Sequence, residues 1–200
     1  MAAELERGFS LLHGVSRGVA VFGSARTPED TPRYDLARSV GRVLGDAGFC
    51  VITGGGPGAM EAANRGAREA GATSIGLTID LPFEQQHSRY VDLEIDFHYF
   101  FARKVMFVRY SSAFVVLPGG YGTMDELFEA LTLIQTGKIR LFPVVLVGSD
   151  YWGGLVGWLR ERMLGDGNVS PDDFDMLTVT DSVEEVVAIC ESAAQRQFGA

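Results

Sequence analysis

At 200 residues, 46% of them hydrophobic and 22% charged, the chain is long enough to bury one core without cross-links, and a second domain is not expected. A formal net charge of −9 argues against a broad surface for nucleic acid or anionic membrane, so any bound phosphate must be held by local geometry. Cys50 and Cys190 lie in apolar stretches and read as buried small residues in a reducing cytoplasm, and no run reaches the roughly 18 apolar residues of a membrane span.

Residues 1–14 lack the basic start and apolar run of a leader, and read as an N-terminal extension to a single domain over 1–200. Short apolar runs then alternate with amphipathic stretches. The runs predict strands over 18–22, 49–53, 74–77, 91–95, 113–117, 143–147 and 177–179. The amphipathic stretches predict helices over 32–47, 59–69, 97–110, 123–136, 153–163 and 183–197. Asp181-Ser182 with Glu185 is an N-cap pattern for the last helix. This alternation predicts an α/β fold, a parallel sheet with helices on both faces. No internal repeat or low-complexity tract interrupts it.

Three strands run directly into small-residue turns: Gly23-Ser24-Ala25-Arg26, Gly54-Gly55-Gly56-Pro57-Gly58 and Pro118-Gly119-Gly120-Tyr121-Gly122. In an open parallel sheet all three lie at the carboxyl edge, where ligands bind at the switch of strand order, so one cleft is expected between them. In the second turn glycines allow close approach to an anion, and the helix that follows, with Met60 in its first turn, aims free N–H groups at the same place. The lysine of a Walker loop is absent there. Gly54-x-Gly56-x-x-Ala59 with Asp80 fits a loose dinucleotide fingerprint, but it follows the second strand rather than the first.

The third turn carries more chemistry, because Thr123 and Glu126 fall in the first turn of a periodic helix whose apolar face is Leu127, Ala130, Leu131 and Ile134. At about 100° per residue, Glu126 borders that face while Asp125 and Glu129 point away from it. Asp125 reads as a complement to the helix dipole, and Glu126 as a functional carboxylate. Arg103-Lys104 interrupts an apolar segment, which implies that the two cations have anionic partners. Lys104 has the chemistry for a Schiff base, but nothing else in the sequence supports a pyridoxal phosphate site. His13, His87 and His98 have no metal-ligand spacing, and no cofactor or metal is expected. Trp152 and Trp158 read as core or subunit interface. The long apolar helices exceed what a monomer covers, so a symmetric homodimer or larger homo-oligomer is expected.

These residues resemble the LOG (Lonely Guy) family of cytokinin riboside 5′-monophosphate phosphoribohydrolases, often labelled lysine decarboxylases. Its glycine-rich first motif corresponds to Gly54-Gly55-Gly56-Pro57-Gly58-Ala59-Met60-Glu61, and its PGGxGTxxE motif to Pro118 through Glu126. An arginine-lysine pair ahead of the second motif corresponds to Arg103-Lys104. The resemblance implies a Rossmann-like doubly wound sheet and hydrolysis of a nucleoside 5′-monophosphate to free base and ribose 5-phosphate. By position, Arg103 and Glu126 are then the catalytic pair, and Gly119, Gly120, Gly122 and Thr123 hold the phosphate. The remaining substrate-binding candidates are Gly23, Ser24, Gly54, Gly55, Gly56, Gly58, Met60, Glu84, Lys104, Pro118 and Tyr121. The segment Leu81-Pro82-Phe83-Glu84-Gln85-Gln86 and the aromatic run from Phe97 to Phe101 look like the longer bacterial branch, whose members form assemblies larger than dimers.

The expected substrate is AMP or an N6-prenylated AMP. The rival readings are a broad purine nucleotide nucleosidase and a non-catalytic nucleotide or cofactor carrier, which would use the glycine loops without needing Glu126.

Overall fold

The strand β1 (Gly18–Phe22) is buried along its whole length, as expected of a central strand covered on both faces. Its alternate side chains divide the interior in two. Val19 and Val21 pack under the helices α2 (Pro32–Asp46), α3 (Ala59–Glu69) and α7 (Val183–Phe198). Ala20 and Phe22 face the other side, which is covered by α1 (Ala2–Leu12), α4 (Phe100–Tyr110), α5 (Tyr121–Gln135) and α6 (Ser149–Trp158). The computed structural model describes residues 1–80, 88–139 and 142–198. Glu84 and His87 lie outside the described residues.

The other strands are β2 (Cys50–Thr53), β3 (Ser74–Ile79), β4 (Leu93–Phe97), β5 (Phe114–Val116), β6 (Val144–Val147) and β7 (Leu177–Thr180). All pair in parallel in the order β4-β3-β2-β1-β5-β6-β7. The chain therefore builds outward from β1 to β4, returns through α4, and builds the other way from β5. The reversal lies between β1 and β5, where Ala20 pairs with Phe114 and Phe22 with Val116. Neighbouring connections depart to opposite faces there and open a crevice at the carboxyl edge.

Several elements differ from the sequence expectation; β3 runs to Ile79 rather than 77, and β4 spans Leu93–Phe97 rather than 91–95. Residues 2–12 form a helix where no element was expected: Gly8 seats against Met106 of α4, Leu12 is buried in the core and Leu5 packs beside it. Phe97 ends β4, paired with Ile79, so α4 begins at Phe100 rather than at 97. Helix α5 begins at Tyr121, two residues before the expected start. Helix α6 starts at Ser149, after Gly148 with φ 107°, and passes at Leu159–Leu164 into a π-helical turn. The expected cap of α7 is present, with Glu185 N–H donating to Ser182 Oγ at 3.2 Å. Cys190 is buried and its thiol is pushed up to about 12 by burial, whereas Cys50 is only half-buried. Trp152 is fully buried and Trp158 is exposed. Among the described residues no helix is long and apolar enough to cross a membrane.

Candidate active site

The three carboxyl-edge turns are joined in series by backbone hydrogen bonds. Ser24 N–H donates to the Pro118 carbonyl at 3.1 Å, and Ala59 N–H donates to the Ser24 carbonyl at 3.0 Å. Gly23 and Ser24 thus lie between the other two loops, which brings the three sequence motifs to one place. Gly58 caps α3 with φ 69°, and a side chain there would lie 2.5 Å from the Ser24 carbonyl oxygen. Only glycine meets both demands.

A buried polar chain holds the second turn from beneath. Gly55 N–H donates to Thr53 Oγ1 at 3.0 Å, Thr53 Oγ1 donates to Asn64 Oδ1 at 2.7 Å, and Asn64 Nδ2 donates to Ser74 Oγ at 2.7 Å. Thr53, Asn64 and Ser74 are all buried, so each bond satisfies a group that would otherwise be desolvated without a partner. The Gly54 carbonyl is thereby fixed as an acceptor.

Arg103, in the first turn of α4, uses that acceptor. Its Nε donates to the Leu77 carbonyl at 2.7 Å, its Nη2 donates to the Gly54 carbonyl at 3.4 Å, and the guanidinium lies 5.3 Å from the Phe107 ring centroid. A Cβ at Gly54 would clash with Arg103 Nη2 and lie 2.8 Å from Met60 Sδ, so the glycine, Met60 and Arg103 form one packed unit.

Lys104 faces the start of α5. Its Nζ lies 2.8 Å from Asp125 Oδ2 and 3.8 Å from Glu126 Oε1, and it donates a hydrogen bond to Glu129 Oε2. Asp125 and Glu129 therefore act as ion-pair partners, where the helical projection had turned them outward and given Asp125 to the helix dipole. The sequence signal for this was present in part, since Asp125 and Glu129 are four residues apart and share a helix face. Lys104 lies on another element, and its approach depends on how α4 packs against α5.

Glu126 is 8% exposed, and its carboxyl is pushed up to about 7. Burial is the main cause; the neighbouring charges of Lys104 and Arg103 pull the other way, and Glu129 and Asp125 add to the rise. One ammonium divided among three carboxylates leaves Glu126 the poorest paired. A carboxyl that titrates near neutrality is suited to exchange a proton in either direction.

Thr123 is buried one turn above Glu126, and Gly120 caps the helix, so free N–H groups of the first turn of α5 surround this point. Tyr121 is 96% exposed and projects away from the core. Tyr151 of α6, which the sequence did not single out, donates its hydroxyl to the Gly119 carbonyl at 2.6 Å and ties the glycine loop to α6. Gly56 lies in the second turn, whereas Gly122 is the second residue of α5 rather than part of the third turn. Among the described residues no group of three His, Cys, Asp or Glu is arranged to hold a metal ion.

Residues 60–190 match the family model described as possible lysine decarboxylase. The chain is 35% identical over 177 residues to a cytokinin riboside 5′-monophosphate phosphoribohydrolase of Mycobacterium tuberculosis, covering 86% of this chain and 92% of that protein. A protein of the same activity name from Arabidopsis thaliana is 27% identical over 194 residues, covering 94% and 88%. Among solved structures, the molybdenum cofactor carrier protein of Chlamydomonas reinhardtii superposes with a TM-score of 0.68 at 25% identity, covering 89% of this chain and 98% of that one. The fold, the two glycine motifs and these matches agree, and the chain belongs to the LOG family.

Proposed function

We propose that the protein hydrolyses the N-glycosidic bond of a nucleoside 5′-monophosphate, AMP or an N6-prenylated AMP, to free base and ribose 5-phosphate. The observation that carries this reading is the buried Glu126, poised to titrate near neutrality beside Arg103 and Lys104 at the helix start where the glycine loop ends. Relatives that match along most of the chain include phosphoribohydrolases of this name.

In the proposed reaction the bond between C1′ and the base nitrogen breaks and its electron pair leaves with the base. Positive charge builds on the ribosyl ring, and the Glu126 carboxylate stabilises it. A water oxygen then bonds to C1′ and passes a proton to Glu126, the departing base nitrogen takes up one proton from solvent, and Glu126 returns its proton to solvent, which restores the carboxylate. Arg103, held against the Gly54 and Leu77 carbonyls, contributes a fixed cation facing the charge that develops on the leaving group. Fixing the phosphate positions the sugar for attack, so nucleosides without it react far more slowly.

Lys104 argues against decarboxylation through a Schiff base. Burial lowers its affinity for a proton, but hydrogen bonds to Asp125 and Glu129 outweigh this and raise its pKa above the ordinary lysine value. A Schiff-base lysine needs the reverse. The exposed Phe100, Phe101 and Val105 of α4 and Phe128 of α5 support a homo-oligomer built on these helices.

Chromatography of products after incubation with AMP and with N6-isopentenyl-AMP, with the matching nucleosides as controls, tests the reading. Base released from the monophosphates alone supports it, and the faster of the two identifies the base preference. The likeness to the molybdenum cofactor carrier gives a second reading, a binding protein without turnover. Nucleotide binding without base release, and with affinity unchanged by Glu126→Gln, favours that one.

A further inference from the structure

A phosphate dianion at this site needs a cation, and in a chain of net charge −9 that cation must come from nearby. The two cations closest to Glu126 are already committed. Lys104 faces Asp125, Glu126 and Glu129, and Arg103 donates to the Leu77 and Gly54 carbonyls. On the other side of the glycine loop, at the crevice between β1 and β5, a cleft of about 410 Å³ is lined by Ser24, Arg26, Thr27, Arg33, Gly119 and Tyr151, among others. Arg26 makes no ion pair among the described residues. Among the described residues Arg33 has its one ion pair with Asp150, at 4.0 Å between two exposed side chains, and lies 5.6 Å from the Tyr151 ring centroid.

The lining is fixed in place. Arg26 N–H donates to Ser24 Oγ at 3.1 Å, Ser24 N–H donates to the Pro118 carbonyl, and Tyr151 clamps the Gly119 carbonyl from α6. The start of Arg26 is therefore set against the same loop that leads into Thr123 and Glu126. A guanidinium there offers the forked donors that suit phosphate oxygens, in a cleft whose wall includes Gly119 of the loop that leads into α5.

We infer that this cleft is the phosphate subsite and that Arg26, supported by Arg33, is the cation that selects a 5′-monophosphate over a nucleoside. The inference rests on the nucleotide reading above. It adds two residues from the first turn and α2 that the glycine motifs do not contain. The phosphate then enters between the first and third turns, with Arg26 on one side and the start of α5 on the other. Lys104 is left to the carboxylates.

The test compares the native chain with Arg26→Ala, Arg26→Lys and the double change Arg26→Ala with Arg33→Ala. Calorimetric binding of inorganic phosphate and of ribose 5-phosphate is measured beside KM and kcat for AMP and for adenosine. Arg26→Ala is expected to weaken phosphate binding and raise KM for AMP by roughly 10- to 100-fold. It should leave adenosine unaffected and the melting temperature unchanged, since the side chain is exposed. Arg26→Lys should recover part of the loss.

Phosphate and AMP handled as in the native chain by the double variant would overturn the subsite while leaving the hydrolase reading intact. Arg26-dependent AMP binding by a native chain that releases no base would keep the subsite and remove the hydrolase. A native chain that binds neither phosphate nor AMP would overturn both.

Discussion

Lys104 Nζ lies 3.8 Å from Glu126 Oε1, outside hydrogen-bonding distance, while the same ammonium sits 2.8 Å from Asp125 Oδ2. Glu126 is thus near a cation without being bonded to it, and burial prevails over the attraction. Because folded Glu126 keeps its proton up to about 7, against 4.5 for an ordinary glutamate, the folded chain binds more protons than the unfolded one between those values. Stability is therefore lost as pH rises through that window, by up to about 3 kcal/mol for this one group.

Glu126→Gln keeps the side chain's shape and cannot ionise. At pH 8 the variant is expected to melt roughly 5 to 10 °C above the native protein, and at pH 4.5 to melt with it. Base release should fall by about 100-fold or more, since the group that exchanges the proton is gone. Thermal melts at the two pH values, run beside the product assay, check both halves. A variant that is no more stable at pH 8 would mean that Glu126 carries no ionisation cost.

Asp125→Asn acts on the same carboxyl from a distance. It removes a negative neighbour and releases part of Lys104 toward Glu126, and both effects lower the Glu126 pKa. Activity that depends on the ionised form should rise with pH around a midpoint near 7 in the native chain. In the variant that midpoint is expected to move to lower pH by roughly half a unit. A pH profile of kcat/KM reads it directly, and a midpoint that moves upward would contradict the arrangement.

Gly54→Ala places a methyl group against Arg103 Nη2 and Met60 Sδ. The guanidinium must leave the Gly54 carbonyl, so its charge no longer faces the leaving group at the right distance. Base release should fall by about tenfold or more, with little change in melting temperature because Arg103 is not part of the hydrophobic core. Undiminished activity in this variant would count against a catalytic role for Arg103.

The extent to which this site was legible depends on how local each feature is. Strand β1 and helix α3 have the bounds that periodicity predicts, because a doubly buried strand and a small-residue helix after a glycine turn each carry their own signal. The turns at Gly54 to Gly58 and Pro118 to Gly120 were legible for the same reason, although the second passes into helix at Tyr121. The beginning of helix α6 was not, since Gly153 and Gly154 mask it and its start is set by Gly148 and by Asp181, which accepts the Ser149 N–H at 2.7 Å. Without α6 in place, Tyr151 could not be seen to hold Gly119. The Lys104 cluster joins residues 21 to 25 apart in sequence across two helices, and no spacing rule within one helix reaches that far.

Phe101 and Val105 are one helical turn apart and both about half exposed, with Phe100 beside them and Phe128 on the neighbouring α5. Arg103 and Lys104 lie between them in sequence and turn inward, so the outer face of α4 is apolar while its inner face forms the site. Such a face costs free energy in water and is relieved by pairing with a second copy across a two-fold axis. Light scattering is expected to give a mass of at least two chains for the native protein. The double change Phe101→Asp with Val105→Asp should give one chain of unchanged secondary structure. With the proposed interface on the helix that carries Arg103, the monomeric variant should also lose activity, compared at equal chain concentration. A native chain that scatters as a monomer at all concentrations would remove the oligomer from this account and leave the apolar face to another partner.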